Sequence, residues 1–571
     1  MKKLLLTCIA AAASFTAFAQ TDVTPVVNKY KGDLYITLGE EVYDEDAKMD
    51  AKVTVSASSE AGKVDFSLPN FSFAGLPLGT IYLPAIALEQ NDSTYTFGKN
   101  NDVRFNFLGG EIVADAHLDE VRSYVKGDSI VAYIPVVWIQ AEATDSTEAV
   151  TTPIYVLFKG SVANSFVLEN TDFNNTEAWG YSKPWNSKDG YFDLSALDEN
   201  DNFWKASGYT LDDFLNPGGW CIANVTGMSG FGATVVGAPA FMNEDENNPD
   251  YAVTLTNTAN PMMKTQIVPG YMTLGTSWAT ASLADLKNSA DGGAFGGVAF
   301  KGKPDAIQFD YMRTHGEANP TENATVVAYL WKGEYKQADV PGETGGSSKV
   351  TMYGRDRNIL GIDTNQGGKV SKSEDAACVA SVVKSIEGDQ TDALATMVVD
   401  LNYGEFAGTD VQPDSLNIIF AANDYFGDRN KMGVGNSLTV DNIKFIYRHG
   451  IKNAMINGKE IAFADDNTAT TTETYDENKF SFTKVGEGAT VTKNYNGETG
   501  ILTIRVDAQD VKFNPEATTT YTIQFALVPE AIDQVKADAA SAAKTIYTID
   551  GRRANTLVKG VNIVGGKKIV K

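Results

Sequence analysis

Two features of this sequence predict an all-β chain built from several modules. The first is a series of short runs in which apolar and polar residues alternate, such as Leu34, Ile36 and Leu38, then Val64, Phe66 and Leu68, then Leu416, Ile418 and Phe420, then Leu502, Ile504 and Val506. Period-two alternation places every apolar residue on one face of a strand. The second is the punctuation between the runs, which is Gly, Asn and Asp. Regularly spaced short strands with such turns read as sandwiches or barrels. The chain has 571 residues, room for three or four domains, and 43% hydrophobic residues, enough to give each a core.

The N-terminus reads as a secretory signal over 1–19. Lys2 and Lys3 precede an apolar run from Leu4 to Phe18, and Ala17-Phe18-Ala19 is a small-x-small cleavage site before Gln20. The run is too short to span a bilayer, and no later segment holds about 18 uninterrupted apolar residues. Cys8 follows Thr7, where a lipidated cysteine follows a small residue, so the sequence argues against a lipoprotein. The reading is therefore an exported, secreted or cell-surface protein with no transmembrane segment.

The first module alternates from Leu34 onward through Val53 and Val55, Thr80–Leu88, Val103–Leu108, Ile130–Ile139 and Ile154–Phe158. The segments Tyr30-Lys31-Gly32-Asp33-Leu34, Val64-Asp65-Phe66-Ser67-Leu68-Pro69-Asn70-Phe71, Leu78-Gly79-Thr80-Ile81 and Pro153-Ile154-Tyr155-Val156-Leu157-Phe158-Lys159-Gly160 resemble the calycin-like β-barrel family of secreted Bacteroidetes proteins. The resemblance covers about 20–160. It implies a small barrel whose lumen either holds a ligand or is filled by its own side chains.

The second module, 161–450, opens at Phe166–Phe173 and closes at Asp414–Tyr447. In the closing strand Leu438 and Val440 share one parity, while Ile443, Phe445 and Tyr447 share the other. An apolar side can stay inward across that flip only with a bulge or bend at Asp441-Asn442. Leu168-Glu169-Asn170-Thr171-Asp172-Phe173, Gly218-Gly219-Trp220, Gly296–Pro304 with Ile307–Tyr311, Asp414-Ser415-Leu416 and Gly435–Asn442 resemble the carbohydrate-metabolism domain family of the same bacteria, a jelly-roll β-sandwich. Val298-Ala299 and Met312-Arg313 depart from that family's pattern. The family resemblance implies a connection with carbohydrate and no particular reaction.

Six of the seven tryptophans fall in this module: Trp179, Trp185, Trp204, Trp220, Trp278 and Trp331. Sugars present C–H faces that stack on aromatic rings. Trp179, Tyr181, Trp185 and Tyr191 crowd one polar, turn-rich stretch, which makes them the candidate carbohydrate-binding residues. The alternative is that these rings cap the core. Trp220 reads as structural. Glu169 and Asp172 near the first strand, with Asp441 at the bulge of the last, are candidate ligands for a structural calcium ion, because a bulge frees carbonyls to join carboxylates. A solvated acidic edge explains the same residues. The acidic loop Asn243–Asp250 lacks EF-hand spacing and reads as solvated.

Residues 451–530 form a third module. Asn457-Gly458 marks a type I′ hairpin, and Phe480, Phe482, Tyr521, Ile523 and Phe525 continue the alternation. The module is similar to the immunoglobulin-like sandwiches that follow such domains. Ala531–Lys544 reads as a short helix or linker. Asp550-Gly551 and Gly565-Gly566 then punctuate short β-rich runs, and the tail resembles the C-terminal sorting tail of type IX secretion in abbreviated form. The resemblance implies cell-surface attachment through 531–571.

The formal charge of −26 argues against a nucleic-acid partner, which needs a basic footprint, and against simple electrostatic adhesion to anionic lipid. Only His117, His315 and His449 are present, with no H-E-x-x-H or G-x-S-x-G motif. Cys221 and Cys378 match no zinc spacing, and the sequence leaves open whether they are bonded. The resulting reading is an exported, non-catalytic protein that binds a neutral oligo- or polysaccharide at the cell surface. A glycan-active enzyme, resembling glycoside hydrolases and using two carboxylates of the central module, and a structural or adhesive surface protein are the alternatives.

Overall fold

The computed structural model describes residues 22–43, 48–73, 76–91, 93–143, 147–176, 179–181, 208–226, 233–242, 250–261, 264–280, 291–333, 359–361, 377–428, 431–527, 545–564 and 566–571. These form two compact units, Met1–Asn164 and Ser165–Lys571. Among the described residues the regular structure is β, apart from short helical turns.

The first unit is a barrel. Its strands are β1 (Asn28–Leu38), β2 (Lys48–Ala57), β3 (Lys63–Phe73), β4 (Leu76–Asn91), β5 (Thr94–Phe97), β6 (Val103–Phe107), β7 (Ile112–Ala116), β8 (Tyr124–Lys126), β9 (Ser129–Ala141) and β10 (Val150–Val162). A ring of eight runs β10-β1-β2-β3-β4-β5-β8-β9 and is closed by β9 on β10. The β6–β7 hairpin lies along β9 beyond the end of β8. Closure bends β1 and β10 against each other where Gly32 faces Gly160. A side-chain carbon on Gly32 would collide with the Lys159 carbonyl, so glycine is required at this seam.

The central sandwich has two sheets. One orders Cys221–Ile222, Tyr271–Thr273, Ser415–Ala421, Ala324–Lys332 and Ala377–Ile386, with Val298–Ala299 also on Ser415–Ala421. The other orders Gly237–Phe241, Tyr251–Thr256, Ser437–Ile446, Ala306–Thr314 and Gln390–Asp400. Their inner faces share one core, where Phe309 meets Phe420 edge-to-face at 4.9 Å. Trp220 and Trp331 are buried in it. Cys221 and Cys378 sit on opposite edge strands, four strand spacings or roughly 19 Å apart. They are therefore not bonded to each other, since a disulfide needs Cα atoms within about 7 Å. Cys221 Sγ instead lies 3.3 Å from Ser277 Oγ.

The third module packs a sheet of Gly450–Ile456, Lys459–Glu460 and Phe480–Val485 on one of Thr468–Thr474, Thr518–Ala526, Ile501–Asp507 and Thr490–Asn496. Asn457 and Gly458 both have positive φ, as a type I′ turn requires. This module is joined to the sandwich through buried polar groups. Asp305 accepts the N–H groups of Arg448 (2.7 Å) and Glu487 (3.0 Å), and the Lys303 N–H donates to Gln509 (2.6 Å). Burial pushes the Asp305 carboxyl above the usual range. The tail is a separate four-stranded sheet ordering Arg553–Ala554, Ile546–Thr548, Val561–Val564 and Lys567–Val570.

Candidate functional site

The barrel lumen is the first place to look for a ligand. Every second residue along its strands points inward, and Val53, Val64, Phe66, Ile86, Phe97, Ala132, Ile134, Val156 and Phe158 are withdrawn from solvent completely. A water-sized void beside any of these side chains would leave it accessible surface. Among the described residues the lumen is thus filled by the chain itself. Closed topology, filled lumen and the Gly32–Gly160 seam together define the unit. Residues 26–160 match the calycin-like β-barrel domain. The filled lumen of this calycin-like barrel turns attention to the sandwich.

There the opening segment Phe166–Phe173, which its sequence marks as a strand, forms no regular strand. Asn170 and Phe173 take positive φ, and the segment runs as a series of bends that meets the last strand at the bulge the parity flip predicts. The Thr171 carbonyl accepts the Ile443 N–H at 3.0 Å. Asn442 takes φ +51°, a left-handed conformation that Asn tolerates better than most residues, and the register against Ala306–Thr314 slips between Gln308 and Asp310. Leu438, Val440, Ile443 and Phe445 all reach the core as a result.

The bulge brings carboxyl groups together. Asp441 and Asp310 are direct cross-strand partners. The Asn442 side-chain amide donates to both, at 3.0 Å to Asp441 Oδ2 and 3.1 Å to Asp310 Oδ2. The Asn442 N–H donates to Asp441 Oδ1 at 2.7 Å, and Thr396 Oγ1 donates to Asp310 Oδ1 at 2.6 Å. Asp441 is 0% exposed. Burial pushes its carboxyl up to about 7, partly opposed by the Asn442 N–H, while the charges of Asp250, Asp310 and Asp172 push it the same way.

Asn174 extends the cluster. Its side chain donates to Asp250 Oδ1 (3.4 Å) and accepts the Tyr251 N–H (2.8 Å), while its own N–H donates to Asp172 Oδ1 (3.3 Å). The Tyr251 ring meets Trp179 edge-to-face at 4.9 Å. Trp179 is half-buried, and its ring N–H has no hydrogen-bond partner among the described residues.

Of the residues singled out by sequence, Trp179 therefore lies beside the acidic cluster. The backbone of Tyr181 pairs with Leu215 in a two-residue ladder. The Tyr181 side chain, Trp185 and Tyr191 lie outside the described residues. Asp172 and Asp441 share one electrostatic neighbourhood, and Glu169 is exposed just before the irregular opening segment crosses to Ile443. Among the described residues no group of three His, Cys, Asp or Glu side chains is placed to hold a metal ion. Sequence reasoning missed Asp310, Asp250, Asn174 and Tyr251. Asp310 was within reach, because alternation with Ile307 and Phe309 puts it on the outer face. Asp250 ends a loop that composition marks as solvated, and nothing local places it near Asp441.

A provisionally named glycoside hydrolase from Bacteroides thetaiotaomicron resembles 75% of this chain over 99% of its own, at 10% identity and a TM-score of 0.25. That likeness is too loose to carry an argument about fold or chemistry. No curated protein matches the chain. No helix among the described residues is long and apolar enough to cross a membrane.

Proposed function

We propose that this chain is an exported, multi-domain carbohydrate-binding protein that captures a neutral oligo- or polysaccharide at the cell surface without cleaving it. The observation that carries the reading is the junction of Trp179 and Tyr251 with the Asp172–Asp250–Asp310–Asp441 cluster. A sugar offers an apolar C–H face and a rim of hydroxyls, and the junction pairs an aromatic face with the accessible carboxyl groups of Asp172, Asp250 and Asp310, behind which Asp441 is fully buried. Trp185, Tyr191 and Tyr181 extend the platform in this reading. The acidic surroundings favour neutral glycans over uronic acids. The signal segment and the tail supply export and attachment, and the calycin-like barrel acts as a spacer.

A glycan-array screen of the mature chain tests the reading, followed by calorimetric titration of any hit. Trp179→Ala weakens a true hit at least tenfold, and the absence of any neutral-glycan hit sinks the proposal. Titration with calcium and with EDTA examines the proposed ion at Glu169, Asp172 and Asp441, and identical melting curves in the two buffers remove it.

One observation favours a glycan-active enzyme as the second reading. Asp310 and Asp441 share one amide donor, and burial pushes the Asp441 carboxyl toward neutrality, so two carboxyl groups stand side by side as in glycoside hydrolysis. Hydrolysis of a hit glycan that disappears in Asp310→Asn would establish it.

A further inference from the structure

The C-terminal sheet carries an exposed face of mixed apolar and basic side chains. Its registers pair Arg553 with Tyr547, Tyr547 with Ile563, and Ile563 with Lys568. Directly paired residues lie on the same face of a sheet. One face thus bears a row of Arg553, Tyr547, Ile563 and Lys568, two apolar side chains bracketed by two cations. Val570 pairs with Val561 on the same face. Alternation past Tyr547 aims Ile549 the same way.

The two faces are treated differently by the chain. The opposite face is partly covered by the connection before Val561, with Ile569 at its edge strand 39% exposed. Asn562 is fully buried there, accepting the Val558 N–H (3.0 Å) and donating to the Val558 carbonyl (2.8 Å), while the Lys571 side chain donates to the Leu557 carbonyl (3.0 Å). The first face is bare: Tyr547 is 41% exposed, Ile563 39%, Ile549 70% and Val570 71%.

Charge singles the tail out as well. From 545 to 571 it holds six basic side chains, Arg552, Arg553, Lys559, Lys567, Lys568 and Lys571, against Asp550 alone, in a chain whose formal charge is −26. A small apolar face ringed by cations fits an anionic interface, where apolar side chains enter the headgroup boundary and cations meet the charge. The face is four short strands wide, too small for the roughly 800 Å² per partner of a stable protein interface. Adsorption to a lipid surface needs no such complementary area.

We propose that the bare face of this sheet docks the protein on an anionic lipid surface, with Arg553 and Lys568 meeting the headgroups and Tyr547, Ile549, Ile563 and Val570 entering the boundary. This deepens the surface-attachment reading of the tail and uses no residue of the carbohydrate site. Co-flotation of the full mature chain with phosphatidylglycerol vesicles tests it, with phosphatidylcholine vesicles as the uncharged control. Binding to phosphatidylglycerol alone, lost in high salt and weakened about a hundredfold or more by Arg553→Glu with Lys568→Glu, is the expected result. Ile549→Ser with Val570→Ser keeps the charge and lowers the affinity less.

Absence of binding, equal binding to both vesicles, or indifference to the charge reversal overturns the proposal. Salt-sensitive self-association without vesicles would assign the face to a protein partner and also overturn it. Cell fractionation separates the two levels. A chain retained at the surface yet inert to vesicles would refute lipid docking and leave attachment standing, and the converse would refute attachment alone.

Discussion

The barrel and the sandwich use β-structure in opposite ways. In the barrel β1 to β5 pair in chain order, and only β1 with β10 joins distant sequence. Among its described residues it buries no charged side chain, and Ser123 is its one buried polar residue. In the sandwich, Ser437–Ile446 is clasped between Tyr251–Thr256 and Ala306–Thr314, and Ser415–Ala421 pairs with Tyr271–Thr273. This unit also buries Lys303, Asp305, Arg313, Glu322 and Asp441. The Glu322 carboxylate takes the Gly433 N–H (2.8 Å) and the Asn436 amide (2.6 Å), tying two loops at one end of the sheets. Non-local pairing has to fix distant loops and edges in place, and buried polar groups with several partners do so with specific geometry. The barrel needs no such devices, because its neighbours in space are mostly its neighbours in sequence.

The sharpest way to break this comparison is to cut a large ring from each core. Phe66→Ala in the barrel and Phe420→Ala in the sandwich should each cost about 3–5 kcal/mol. Each variant should move only its own unit's transition in calorimetry, and a single transition that shifts as a whole in both would show that the units are not separate. A smaller effect belongs to the sandwich alone. Asp441 is raised in the folded state, so the stability it contributes is full below the ordinary carboxylate range and is lost as pH rises through about 7. In EDTA the protein should be about 2–3 kcal/mol less stable at pH 8 than at pH 5 on this account. Asp441→Asn should remove that part of the slope, and an unchanged slope would count against the assignment.

Asp305→Ala leaves the Arg448 and Glu487 N–H groups without their acceptor. It should cost about 1–3 kcal/mol and expose the 447–451 crossing to limited proteolysis, which no single polar substitution in the barrel should match. The smallest effect is expected from Trp179→Ala, about 1 kcal/mol, because the ring is only half-buried against Tyr251. A loss as large as that of Phe420→Ala would mean that the ring caps the core and does not serve as a platform.

Much of the fold is legible in the order of the residues. Alternation locates the barrel strands, Asn457-Gly458 the hairpin, and the parity change at Asp441-Asn442 the bulge. All three are local signals, set by backbone conformation and by which face of a strand meets water. The candidate site is legible only in part. Trp179, Asp172 and Asp441 can be named from sequence, but not the residues that hold them. Asp310 becomes Asp441's partner through sheet register, and Asp250 enters through the Asn174 side chain, across 76 positions of sequence. The separation of Cys221 and Cys378 has the same cause, since strand order and not spacing puts them on opposite edges. The two faces of the tail sheet also differ where the chain folds back over Asn562 on one of them. By itself, the sequence determined which segments are strands, which side of each is apolar, and where one must bulge, because those follow from residues within a few positions of each other. Which strands pair, which carboxyl loses its water and which apolar face is left bare were decided by the tertiary structure, because desolvation and register depend on what arrives from elsewhere in the chain.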